Sequence, residues 1–120
     1  MPDAEPDPAE DGARNAKDGT LGGYFEVHNR PPAFEGSDGH PYTVSPEIEQ
    51  TSNLRAPYAG FLVFPRWAQT GVGIVGHVET SILVECRSSR ESMEWLGRLT
   101  LMEVQQHLES ALARERREST

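Results

Sequence analysis

The stretch from Ala56 to Trp67 (APYAGFLVFPRW) is apolar on both sides of a strand. Side chains alternate with period two, so Tyr58, Gly60, Leu62 and Phe64 point one way and Ala59, Phe61, Val63 and Trp67 the other. A strand of this kind belongs inside a sheet with both faces sheltered. The chain has 120 residues, which suits one domain and leaves little material to cover two faces. Helices are expected on one face. Phe61, Val63 and Trp67 are the candidate interface on the other, covered by a second copy or by the loop that carries Phe34.

The neighbouring segments are read around this strand. Tyr24-Phe25-Glu26-Val27-His28 alternates and Pro31-Pro32 stops it, which predicts a strand over 23–29. Phe34 to Pro41 reads as a loop turned at Asp38-Gly39. Tyr42, Val44 and Ile48 then share one side of an edge or bulged strand, opposite Thr43, Ser45, Glu47 and Glu49, with Pro46 interrupting it. Gln69-Thr70-Gly71 turns the chain into one long strand or two shorter ones over 72–86. There Ile74, Val78, Ile82, Val84 and Cys86 lie opposite His77, Glu79, Ser81 and Glu85.

The last third is helical. Ser88 with Glu91 and Thr100 with Glu103 each form a capping-box spacing, and Gly97 is placed to end the first, short helix. Leu101, Val104, Leu108, Ala111 and Leu112 follow the spacing of an amphipathic second helix, with Arg114, Arg116 and Arg117 at its C-terminal end. The expected fold is therefore α+β. It has two layers: a mainly antiparallel sheet of four to five strands, and a short and a longer C-terminal helix on one face.

Charge separates the chain into regions. The net charge is −8, and six acids against Arg14 and Lys17 put −4 of it in residues 1–22. That segment has almost no large apolar residues, so it is expected to be a disordered acidic, Pro-rich leader. Residues 23–116 are expected to form the single domain, with 117–120 a frayed tail. Ten of the eleven basic residues are Arg, which fits either codon bias or a salt-adapted surface. The acidity excludes the basic footprint of general nucleic-acid binding, and no apolar run is long enough to span a membrane. No secretory signal is apparent, and one Cys cannot form an internal disulfide, so a cytoplasmic location is expected.

Motifs carrying chemistry are few. Gly71-Val-Gly-Ile-Val-Gly76 matches the dinucleotide-binding pattern, but β-rich residues follow it where a helix should start, so a hairpin is expected. Glu26-x-His28 and His77-x-Glu79 each place two ligating side chains on one face of a strand. If the strands are neighbours, Glu26, His28, His77 and Glu79 form a candidate metal site, with His40 beside Asp38 and Glu35 as a further ligand. No catalytic residue and no cofactor is assigned. Cys86 lies on the apolar side of its strand.

The strand-strand-strand-helix order, with a capped helix after Val84-Glu85-Cys86, resembles antitoxins of the HicB type over about half of the chain, in layout alone. That resemblance implies an antitoxin-like partner of a small RNase. The residues themselves lead to a small protein-interaction or regulatory module, acting as a homodimer or on a protein partner. A metal-dependent or acid–base enzyme built on the His/Glu pairs is the alternative.

Overall fold

The structure is a computed structural model and describes residues 17–119. After a short turn at Lys17–Gly19, the elements are α1 (Leu21–His28), β1 (Ala33–Glu35), β2 (Pro41–Thr43), β3 (Ser45–Gln50), β4 (Tyr58–Trp67), β5 (Ile74–Glu79), β6 (Val84–Cys86), α2 (Ser89–Gly97) and α3 (Leu101–Glu118). All strand pairs are antiparallel. The α+β class and the two C-terminal helices agree with the sequence reading.

Strand β4 is the axis of the sheet. Ser45 and Glu79 both pair with Val63, so β3 and β5 lie on opposite edges of β4. Ala59 is likewise held between Glu49 and Glu85, and Arg66 between Tyr42 and Gly76. β2 and β3 thus form one interrupted ribbon, and β5 and β6 another. Six strands are described where four to five were expected: β1 is gained as the strand at 23–29 is lost, and β2 separates from β3.

The second interruption has a clear construction. Phe64 pairs with Val78 and Gly60 with Val84, so the β5–β6 side carries two more residues than β4 over this stretch. Thr80 bridges the gap: its N–H donates to Leu62 O at 2.9 Å, and its Oγ1 accepts from Leu62 N–H at 3.0 Å. Leu83 N–H then donates to Gly60 O at 2.8 Å, while Ser81 and Ile82 bulge into solvent. An even insertion preserves the facing of the strand, so Val78 and Val84 stay on one side and Glu79 and Glu85 on the other.

The core lies between the sheet and the helices. Leu62 and Phe64 of β4, Tyr42, Val44 and Val78 pack with Leu96, Leu99, Val104, Leu108, Ala111 and Leu112. Ser92, buried on α2, donates from Oγ to Tyr58 O at 2.6 Å and so fixes that helix to β4. Both helix starts follow the expected caps. Ser88 Oγ accepts from Glu91 N–H, and Thr100 and Glu103 complete a reciprocal capping box.

Residues 23–29 do not form the expected strand; they belong to helix α1. Thr20 Oγ1 caps its start by accepting from Gly23 N–H, and Asn29, left-handed at φ 56°, closes its end. Leu21 is buried and Phe25 packs against the core one turn later, a helical spacing that the local alternation obscured. Gly22 sits against Gly97 of α2: a Cβ on Gly22 would come within 3.2 Å of Gly97 O. A bridge between Thr20 and Thr100 and a bond from Leu21 N–H to Leu99 O pin this end to the α2–α3 junction.

Residues 17–22, expected in the leader, thus pack with the folded domain; residues 1–16 of the expected leader lie outside the described residues. At the other end helix α3 continues through Glu118, past the expected boundary at 116, and Thr120 is outside the described residues. Phe34 is not in a loop. It pairs with Tyr42 in the β1–β2 hairpin and packs on the helix side of the sheet.

Replacing Phe64 with Ala is expected to cost about 3–5 kcal/mol in urea unfolding, because its whole side chain is enclosed. Thr100→Ala, which removes one cap, is expected to cost about 1 kcal/mol by the same measurement.

Candidate interaction face

The face of the sheet turned away from α2 and α3 presents Phe61, Val63 and Trp67, as the alternation requires. All three are half-buried, and none belongs to the core packed beneath the helices. Because Phe34 packs on the helix side, the loop expected to cover this face does not do so. Trp67 is steadied by donating from Nε1 to Thr43 Oγ1 at 3.0 Å. A register shift between Arg66 and Trp67 places Trp67 opposite Ile74, which moves Ile74 off the side it was expected to share with Val78. Ile74 is 60% exposed, and Val72 and Val75 beside it are exposed too. The apolar strip thus runs on into the β4–β5 hairpin.

Carboxylates flank this strip. Glu47 pairs with Phe61, Glu79 with Val63, and Glu49 and Glu85 stand on the two sides of Ala59. All four are exposed. Glu47 accepts from Ser45 Oγ at 2.7 Å, and Glu79 lies 3.4 Å from His77 Nε2. The only Lys or Arg in any of the six strands is Arg66, whose side chain turns to the helix side. Exposed carboxylates on both flanks of an apolar strip were legible from the alternation at 43–49 and 77–85. Their grouping required the strand order.

The glycine motif resolves as the expected hairpin. Gly71 and Gly73 have φ of 83° and 88°, and Ala68 and Gly73 close the turn by a hydrogen bond. Gly76 lies opposite Arg66 in β5, where a Cβ would come within 3.2 Å of the guanidinium. The motif leaves room for Arg66; it does not open a helix.

The two candidate metal-ligand pairs lie on different elements, α1 and β5. Glu26 and His28 sit on α1, where residues two apart do not share a face. His28 Nε2 is 2.9 Å from Asp18 Oδ2, and α1 packs on the Lys17–Gly19 turn and α2. His77 and Glu79 lie on β5, which packs against β4 and α3. His40 turns its Nδ1 to Trp67 O at 3.0 Å. Among the described residues no three His, Cys, Asp or Glu side chains form a group suited to a metal ion. An open groove of about 530 Å³ between α2 and α3 is lined by Trp95, Arg98, Glu103 and His107, but Glu103 is engaged in its capping box.

One polar network that the sequence did not reveal holds the Trp67 end of β4. Arg66 Nε donates to Tyr42 Oη at 2.6 Å, and Tyr42 donates to Asp38 Oδ2 at 2.6 Å. Arg66 also reaches Glu115 of α3 at 2.6 Å. Burial, and then the Asp38 hydrogen bond, push the Tyr42 phenol up to about 12. Burial works to raise Asp38 as well, but Tyr42, the His40 N–H and Arg66 outweigh it and hold the carboxyl below its usual value. Arg66 is kept charged against burial by Tyr42 and Glu115. The network joins β2, β4, the β1–β2 turn and α3 at one point.

No family model, curated protein or solved structure matches the chain. Among the described residues no helix is long and apolar enough to cross a membrane.

The Tyr42 network has a defined pH dependence. An unfolded phenol ionises near ~10, so the contribution of neutral Tyr42 is intact below that pH and is lost as pH rises through its folded value. Ultraviolet titration is expected to show one tyrosine ionising near pH 12, a phase that Tyr42→Phe removes. The Asp38 contribution has the opposite sense: it is present above about pH 4 and is lost as pH falls through the lowered folded value.

Proposed function

We propose that the chain is a small protein-interaction module whose contact surface is the outer sheet face centred on Phe61, Val63 and Trp67. The observation that carries this reading is an apolar strip along the central strand on the side opposite the helices. Contiguous apolar surface of this kind marks interaction sites more often than it occurs on isolated monomers. The arrangement also accounts for the double-faced β4: one face builds the core, and the other is available to a partner. The carboxylates along both flanks make this a protein-binding surface and do not suit a nucleic-acid backbone.

A second copy of the chain, the homodimer anticipated from the sequence, is one occupant. Two-fold symmetry would place face on face and bury the strip. It would also bring four carboxylates of one copy against four of the other, and like charges across an interface oppose docking.

Light scattering across a dilution series is therefore expected to find a monomer at low ionic strength, with association appearing only when salt screens the glutamates. Phe61→Asp is expected to abolish that association while leaving the free energy of urea unfolding within about 1 kcal/mol of the parent. Salt-promoted association that survives Phe61→Asp would place the contact elsewhere on the molecule.

A further inference from the structure

We propose that the occupant of this face is a basic amphipathic helix of a partner protein, lying along β4 between two rows of carboxylates; this rests on the outer face being the contact surface. The rows are Glu47 and Glu49 on β3, and Glu79 and Glu85 on the β5–β6 ribbon. They are separated by the width of β4, two strand spacings, or about 9–10 Å. That separation matches the ~10 Å diameter of an α-helix, so a helix seated on Phe61, Val63 and Trp67 would carry its flanking residues directly over both rows. Ala59 is fully buried between Glu49 and Glu85, so the open strip runs from Phe61 to Trp67, about 20 Å, enough for roughly 13 helical residues.

The charge selects the sign of the partner. Among the strand residues no Lys or Arg shares this face with the four glutamates. Arg114, which reaches the edge of β5 from α3, binds the main-chain carbonyl of Glu79 and not its carboxylate. Glu49 and Glu85 make no ion pair among the described residues, although Arg55 and Arg87 line one surface hollow with Glu85; beside Glu79 stand His77 and Arg114. A helix with an apolar stripe bordered by Lys or Arg on both sides fits this pattern, using the apolar-face-in-groove mode of helix recognition. A second copy presents the same negative rows and does not fit. An extended strand would pair with a sheet edge instead of lying across this face.

The test uses the full chain and three fluorescein-labelled synthetic 18-residue peptides. The first carries Leu at helical i, i+3, i+4 and i+7 spacing with Lys on both flanks. The second is its scrambled sequence, and the third has Glu in place of each Lys. Fluorescence anisotropy is expected to show the basic amphipathic peptide binding, its Kd rising with salt, and the other two binding at least tenfold more weakly. The combined E47Q, E49Q, E79Q and E85Q variant is expected to weaken binding about tenfold. Removing four charges elsewhere, with E26Q, E91Q, E94Q and E118Q, should leave binding within about threefold. Amide chemical-shift changes are expected to follow Phe61, Val63 and Trp67. Equal binding of the scrambled peptide, or equal loss in both glutamine variants, would show only general charge attraction and overturn the proposal. If the peptide fails to bind while the chain self-associates through Phe61, the basic-helix occupant falls and the contact face stands. If neither occurs, both readings fall.

Discussion

Strand β4 is hydrogen-bonded along both edges, and the rest of the structure is arranged around that constraint. Its two flanking ribbons must match its register while each changes pairing partway along, β2 to β3 on one edge and β5 to β6 on the other. The ribbons accommodate this differently. On the β5–β6 side two extra residues are expelled at Ser81-Ile82, with Thr80 supplying the hydrogen bonds the ladder would otherwise lose. On the other side Val44 separates β2 from β3 and is itself buried in the core. Every helix contact with the sheet then depends on Gly60, Leu62 and Phe64 facing one way. A shift of one residue would turn Phe61 and Val63 inward and send the carboxylates with them.

The two ends of β4 are secured by different physical means. At the Tyr58 end the fixings are small and close: Ser92 hydroxyl to Tyr58 carbonyl, Leu96 over Gly60, and beyond them Gly22 against Gly97. At the Trp67 end the fixing is ionic. Arg66 emerges beneath the sheet and is satisfied by Tyr42 and Glu115, with Asp38 completing the chain of hydrogen bonds. A partly buried guanidinium is costly to leave unpaired, so this cluster specifies how α3 meets the sheet. It also orders the backbone next to Trp67, through His40 and the Trp67 carbonyl. The core side of the sheet and the proposed contact side are therefore coupled through a single residue pair, Arg66 and Trp67.

An apolar strip bordered on both sides by glutamates has two physical consequences. The carboxylates keep the strip hydrated and oppose face-to-face association of identical copies. They also give the surface a preference by sign, which an apolar patch alone lacks. The glutamates alternate with residues that build the opposite face, so the same period-two pattern that makes the core on one side makes this charged frame on the other.

Much of this was readable in the chain itself. The double-faced segment at 56–67, the facing of Tyr42, Val44 and Ile48, the hairpin at 71–76 and both helix caps are local properties, set by period-two alternation, glycine conformation and side-chain capping. The strand expected at 23–29 shows where local reading fails. The run Tyr24-Phe25-Glu26-Val27-His28 suggests alternation, but Leu21 and Phe25 are the residues the core accepts, and Thr20 caps the helix that presents them. The pairing of Glu26 with His28 on one strand face went with the expected strand, since both residues sit on α1. What the sequence alone determined was which residues sit on which side of an uninterrupted strand, because that follows from backbone geometry within a few residues; at the register shift beside Trp67 and the bulge at Ser81-Ile82, Ile74 and Ile82 leave the side they were expected to share with Val78. Only the tertiary structure decided which strands flank β4, that Arg66 and Tyr42 meet, and that four glutamates from two ribbons frame one strip, because those are pairings between residues far apart in the chain.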